Sequence, residues 1–140
     1  MKKLTKVFTL LLTAAILCVS ILPLFVSAEY GISPRYVNTN TCTCDLNIIN
    51  GNAYVSVSYN AKSSVFSHAI ITLKVQKRFL GVFWSDVAEW TDYCYDIYGY
   101  VSNNTPLENT GTYRAVFTVE IYGKDGSVDT IEDKITSTYE

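Results

Sequence analysis

From Thr41 onward the sequence alternates apolar and polar residues with a period of two, in short runs separated by turn residues. That pattern constrains the fold more than any other feature, because successive side chains of a strand point to opposite faces. Cys42, Cys44, Leu46 and Ile48 fall on one face, and Thr43, Asp45 and Asn47 on the other. Asn50-Gly51 follows directly. An Asn-Gly pair between alternating runs is the strongest short hairpin signal, since both residues tolerate the positive φ of a type I′ turn. Ala53, Val55, Val57 and Tyr59 then alternate with Tyr54, Ser56 and Ser58, which predicts a strand pair with one dry face.

The remaining chain repeats the scheme. A polar loop, Asn60 to Ser67, leads into Ala69, Ile71, Leu73 and Val75, and Leu80-Gly81 turns the chain into a fourth run from Val82 to Trp90. Trp84 and Trp90 share a parity that Val87 does not, which predicts a bulge near Ser85 or Asp86. Thr91-Asp92 is expected to turn again, Tyr93 to Val101 to make a fifth strand, and Ser102 to Gly111, with Pro106, to form the longest internal connection. Tyr113, Ala115, Phe117, Val119 and Ile121 define the sixth strand, and Asp125-Gly126 returns the chain into a seventh from Val128 to Tyr139. Tyr, Val, Ile, Thr and Phe are abundant here and the common helix formers sparse, as suits a pleated, half-buried surface. The expected fold is all-β, an immunoglobulin-like antiparallel sandwich of about seven strands. Tyr113, after Leu107 and Gly111, stands where such sandwiches place a tyrosine corner, whose hydroxyl bonds back to the preceding loop; an ordinary core tyrosine is the alternative.

Ahead of this domain stands an address label. Lys2, Lys3 and Lys6 precede an apolar run from Val7 to about Leu22, Pro23 breaks it, and Val26-Ser27-Ala28 offers small or short residues for cleavage. Residues 1–28 thus read as a helical signal peptide, 29–40 as an extended leader that can add a short edge strand, and 41–140 as one β-domain. The apolar run is longer than the roughly 7 to 15 residues of most signal peptides, so an uncleaved membrane anchor is the alternative. Three of the 11 basic residues lie in the signal peptide, which leaves 8 basic against 13 acidic residues and a net charge of −5. That balance argues against nucleic acid and anionic membrane surfaces, and no membrane partner is expected once the signal peptide is cleaved.

Ile32-Ser33-Pro34-Arg35-Tyr36 directly after the signal peptide resembles small secreted proteins of Gram-positive, largely anaerobic bacteria. The strand Leu73-Lys74-Val75-Gln76-Lys77, the tryptophans Trp84 and Trp90, and the stretch Gly111 to Arg114 are similar to that group as well. Each motif is short and unspecific, and the resemblance covers most of the chain after the signal peptide. The resemblance implies a secreted bacterial β-sandwich and brings no catalytic residue with it. Cys42, Cys44 and Cys94 stand outside its pattern.

The three cysteines beyond the leader suggest one disulfide and a spare thiol, or a bridge between chains. Cys94 is the expected partner of Cys42 or Cys44, although first and fifth strands separated by a second would lie about 9.6 Å apart, beyond the roughly 7 Å limit for a bridge. Buried small apolar thiols are the other reading. The Cys-x-Cys spacing is not that of structural zinc, His68 at a loop-to-strand boundary reads as solvated, and Asp125 is explained by its turn; no metal or cofactor is expected. Asn103-Asn104-Thr105 matches a glycosylation sequon by chance in a chain that otherwise looks bacterial.

The richest patch is Trp90, Tyr93, Tyr95, Tyr98 and Tyr100, with Asp92 and Asp96 between them. Aromatic faces beside carboxylates stack on sugar rings and bond their hydroxyls, and tyrosine is favoured at protein interfaces. Strand alternation assigns Tyr93, Tyr95 and Ile97 to one face and Cys94, Asp96, Tyr98 and Tyr100 to the other, so one set is expected to be core packing. The lone histidine has no triad partner and the carboxylates are scattered, so catalysis is not expected. The expectation is a secreted, non-catalytic module whose partner is a cell-wall glycan or an extracellular protein; the alternative is a secreted effector or toxin-like protein acting on neighbouring cells.

Overall fold

The computed structural model describes residues 36–140; the expected signal peptide and the leader as far as Arg35 lie outside the described residues. Seven antiparallel strands follow: β1 (Thr39–Ile49), β2 (Asn52–Ala61), β3 (Phe66–Phe79), β4 (Phe83–Cys94), β5 (Tyr98–Pro106), β6 (Gly111–Gly123) and β7 (Val128–Tyr139). They form two sheets, one ordered β1-β2-β5 and the other β4-β3-β6-β7. The hairpins follow the turn chemistry. Asn50 and Gly51 both adopt positive φ (49° and 73°), as a type I′ turn requires, and β1 pairs with β2 from Ile49↔Asn52 outward.

The core is what the two inner faces share. Val55, Val57 and Tyr59 of β2 meet Ile71, Leu73 and Val75 of β3 and Phe117, Val119 and Ile121 of β6, all of them buried. β2, β3 and β6 each have a hydrogen-bonded strand on both sides, which is why their inward positions are the driest. Tyr113 is also buried, and its hydroxyl donates to the Asn109 carbonyl at 2.5 Å, the bond expected of a tyrosine corner.

Two boundaries differ from expectation, both around β5. The chain does not turn at Thr91-Asp92, because those residues continue the pairing of β4 with β3 (Thr72↔Thr91, Ile71↔Asp92) as far as Cys94. It crosses instead to the other sheet through Tyr95–Ile97, where the Ala61 amide donates to the Ile97 carbonyl at 2.8 Å. The expected long connection from Ser102 to Gly111 is half strand, since Ser102 to Pro106 pair with Ser56 to Asn52 of β2. Polar residues and a proline suit this position: β5 is an edge strand with one solvent face, and a proline at its end has no ladder bond to lose.

The bulge falls at Val87, next to the expected place, as the pairing jumps from Val75↔Ala88 to Gln76↔Asp86. It reverses the parity of the strand. Trp90 therefore packs against the core, while Trp84 turns outward and stacks under the Arg114 guanidinium at 4.1 Å.

Two polar or close contacts lock the frame. The Asp129 carboxylate, buried at the start of β7, accepts from the amides of Val37, Asn38 and Thr39 at 3.0, 2.7 and 2.9 Å and from the Thr39 hydroxyl at 2.9 Å. Burial pushes its pKa up, but these four donors outweigh burial and hold it below the usual carboxylate value. On the other side Tyr59 lies over Gly99 so closely that an added Cβ would meet its ring at 2.0 Å, and its hydroxyl donates to the Asp96 carbonyl at 2.8 Å.

Two outcomes are expected. Asp129→Ala lowers unfolding stability at neutral pH by about 2–3 kcal/mol, because it strands donors of charge-assisted bonds. A depressed carboxylate stabilises the fold above its unfolded pKa of about 3.9 and loses that effect as the pH falls through the folded value, so the gap to wild type narrows in strong acid. Urea titrations of both proteins at several pH values measure this. Gly99→Ala, which must displace the Tyr59 ring, costs about 1–3 kcal/mol in the same assay.

Candidate functional site

The tyrosines gather where β4 hands the chain to β5. Tyr93 is next to last in β4 and points outward, opposite Ile70 of β3. Tyr95 lies in the crossing, tilted against the His68 ring at 6.2 Å between centroids. Tyr98 and Tyr100 point outward from β5, opposite Asn60 and Ser58 of β2. All four are between 63% and 74% exposed. The expectation that one tyrosine set would be core is therefore wrong: the chain changes sheets at Tyr95–Ile97, so Cys94, Ile97 and Val101 turn inward and every tyrosine turns out. Trp90, from the same expected patch, packs against the core and does not join them.

The surroundings of this corner are polar. On the outer face of the three-stranded sheet Tyr98 lies in a row with Asn60 and Thr41, and Tyr100 in a row with Ser58 and Thr43. On the four-stranded sheet His68 is a strand residue, half-buried, with its ring stacked on Tyr122 at 4.4 Å and 7°; it is not a solvated boundary residue. Asp92 is turned inward and accepts a long bond of 3.4 Å from the Asn103 side chain, so of the two expected carboxylates Asp96 alone is exposed at the corner.

Cys42, Cys44 and Cys94 are free thiols, and the expected bridge of Cys94 to Cys42 or Cys44 is not formed. Because β4 runs on to Cys94, this residue belongs to the opposite sheet from Cys42 and Cys44. Cys94 lies against the Tyr59 side chain, and burial raises the pKa of both groups. Cys42 and Cys44 are neighbouring free thiols on the inner face of β1, placed for one to donate to the other. Donation from the Cys44 thiol lowers the Cys42 pKa, and the same bond raises that of Cys44.

A depression of about 380 Å³ opens at the other end of the sandwich, with Asp86 and Glu108 on its wall. Asp86 accepts from the Gln76 amide at 2.5 Å and pairs with Lys74 at 3.6 Å, contacts that lower its pKa and hold it ionised, so it carries no proton to donate as a general acid. Asp125 accepts from the Ser127 amide and hydroxyl at 3.0 and 2.6 Å, a turn role in keeping with its place before Gly126.

One exposed group escaped the sequence reading, which took Leu80-Gly81 as a plain turn. Phe79, Leu80, Val82 and Phe83, around the β3–β4 turn, are between 59% and 73% exposed. The available signal was compositional, since hairpin tips are ordinarily built from Gly, Asn, Asp, Ser and Pro.

No family model matches the chain, and no curated protein matches it by sequence. Among solved structures it is similar to OgpA from Akkermansia muciniphila, with a TM-score of 0.39 and 13% identity over 75% of this chain. The chain spans 31% of OgpA's length. It is also similar to a protein from Archaeoglobus fulgidus, with a TM-score of 0.36 and 10% identity over 73% of this chain and 98% of that one.

Iodoacetamide is expected to modify Cys42 ahead of Cys44, and Cys44→Ala, which removes the donor, to slow that reaction several-fold at neutral pH. Peptide mass spectrometry over a time course measures both.

Proposed function

We propose that this chain is a secreted, non-catalytic β-sandwich module that binds a cell-wall glycan through the tyrosines of the β4–β5 corner. The observation that carries the reading is the joint exposure of Tyr93, Tyr95, Tyr98 and Tyr100 on strands that could have buried them. Tyr98 and Tyr100 share the outer face of the three-stranded sheet, Tyr93 and Tyr95 that of the four-stranded sheet, and paired large rings left in water on either side of the crossing need a reason, whereas scattered apolar residues do not. Tyrosine offers an apolar face and a hydroxyl with few rotors to fix, so it binds at low entropic cost.

The neighbours favour a polyhydroxylated ligand over an apolar one. Thr41, Thr43, Ser58 and Asn60 lie in the same rows as Tyr98 and Tyr100, so donors and acceptors surround the stacking faces. The net charge of −5 beyond the signal peptide fits a neutral partner better than a polyanion. Secretion rests on the basic, apolar and small-residue segments of positions 1–28.

An immunoglobulin-like assignment is part of the proposal. The Tyr113–Asn109 bond supports it, as does the grouping of the first, second and fifth strands against the third, sixth and seventh. The fourth strand pairs with the third, where constant-type domains attach it to the first sheet.

Sedimentation with purified, insoluble cell wall tests the binding role. Tyr98→Ala/Tyr100→Ala is expected to weaken retention about tenfold or more, an amount that corresponds to about 1.4 kcal/mol or more, without shifting the thermal midpoint. Equal retention of the variant overturns the tyrosine site. Failure of the wild type to bind glycan, together with tyrosine-dependent capture of an extracellular protein, replaces the glycan with a protein partner.

A further inference from the structure

We propose that the tip of the β3–β4 hairpin inserts into a lipid surface. The hairpin outruns the sheet that supports it. The last pair between β3 and β6 is Lys77↔Tyr113, whereas β3 and β4 stay paired through Arg78↔Trp84 to Phe79↔Phe83. Beyond Lys77 the backbones of the two strands pair only with each other, and Phe79, Leu80, Val82 and Phe83 crown the projection.

Turn chemistry does not explain these residues. Leu80 adopts φ 50°, a left-handed conformation usually given to Gly, Asn or Asp. An apolar side chain held there against its backbone preference points to a role for the side chain itself. Two carbonyls of the turn are already paired. The Phe79 carbonyl accepts from the Val82 amide at 3.2 Å, and the Gly81 carbonyl from Arg78 Nε at 2.6 Å. Polar groups paired in this way can enter an apolar medium without being stranded.

The residues behind the tip are ordered as a bilayer interface is. Trp84 follows immediately, and tryptophan favours the headgroup level. Around it stand Arg78, which pairs with Trp84 across the strands, Arg114 over its ring at 4.1 Å, and Lys77 over Tyr113 at 5.6 Å. These cations lie at the height of lipid phosphates when the apolar crown is submerged, and long basic side chains reach such groups readily. Asp86, the nearest carboxylate along β4, is occupied by Gln76 and Lys74. Insertion of apolar side chains does not need an anionic surface, so the acidic overall balance does not oppose it.

A lipid surface fits better than a second copy of this chain. The tip is convex and offers on the order of 500 Å² of apolar side chain, against about 800 Å² per partner in a standard protein interface.

Trp84 supplies the test. Vesicles of phosphatidylcholine brominated on the acyl chains quench only tryptophans that approach the hydrocarbon. Because the N-terminal apolar run can itself engage a bilayer, quenching at Trp84 is the readout and not vesicle retention. In the full chain Trp84 emission is expected to fall at least about twofold. Trp84→Phe, which leaves only Trp90, shows little quenching, and Phe79→Ser/Phe83→Ser loses the effect while keeping its near-ultraviolet circular dichroism. The proposal is overturned if Trp84 is quenched no more than Trp90, or if the serine variant is quenched like wild type. A tip-dependent dimer in sedimentation without quenching also overturns it, in favour of a second copy.

Discussion

Tyr59 packs over Gly99, and the position of every tyrosine in the candidate surface follows from that contact. The ring occupies the place of a side chain at residue 99, and the hydroxyl holds the Asp96 carbonyl. Together they fix where the chain leaves one sheet and joins the other. Had the chain stayed in a single strand from Tyr93 to Val101, alternation would have buried one set of tyrosines. The switch at Tyr95–Ile97 resets the parity instead, so Cys94, Ile97 and Val101 fill the interior and the tyrosines are left to solvent. Packing over a glycine is a recognised way to restore cross-strand contact where a strand lacks a side chain.

The same contact explains where the sequence was legible. Strands with one dry face were, because inward Val, Ile, Leu and Phe on β2, β3 and β6 write a period of two that no helix shares. Hairpins with turn chemistry were also legible, as at Asn50-Gly51 and Asp125-Gly126. The bulge left a trace in the mismatched parity of Trp84 and Val87, correct to within a residue or two. Two stretches of edge strand, in β4 and β5, were not legible, although the edges β1 and β7 were. Ser102-Asn103-Asn104-Thr105-Pro106 has the composition of a loop, and only the waiting edge of β2 makes it a strand. Thr91-Asp92 has the composition of a turn, and only β3 beside it keeps it extended. Local residues cannot report a partner from another part of the chain, and that is the information both misreadings lacked.

The candidate site shows the same division. Tyr93, Tyr95, Tyr98 and Tyr100 were visible as a cluster, but their exposure in two pairs, one on the outer face of each sheet, depends on the sheet switch, and the inward turn of Trp90 depends on the bulge. Asp129 gave no sign of its role. Its donors, Val37 to Thr39, lie about ninety residues away in sequence and carry no motif. A buried carboxylate satisfied by backbone amides is specified by geometry alone, and its identity as an aspartate is the only mark it leaves.

The sandwich has two open sides, and they are closed by different means with different consequences. On the β1–β7 side, Asp129 ties the start of β1 to β7, and the wholly buried Asn38 adds bonds from its amide to the Ile121 and Ser127 carbonyls, both at 3.2 Å. That seam is polar and satisfied, with Val37 and Val128 left exposed beside it. On the β4–β5 side the two strands are joined by the crossing and by the long Asn103–Asp92 bond, and both are edges. An edge strand invites another chain to pair with it unless something blunts it. The bulge at Val87 breaks the ladder of β4, and Pro106 ends that of β5. These devices protect the backbone while leaving the side chains of both strands free for contact. The surfaces left unexplained by folding, the tyrosine corner and the apolar hairpin tip, lie at opposite ends of β4. Twelve residues of strand separate them by about 40 Å, too far for one ligand to account for both. Two chemically distinct surfaces on one small domain therefore call for two partners, one polar at the corner and one apolar at the tip.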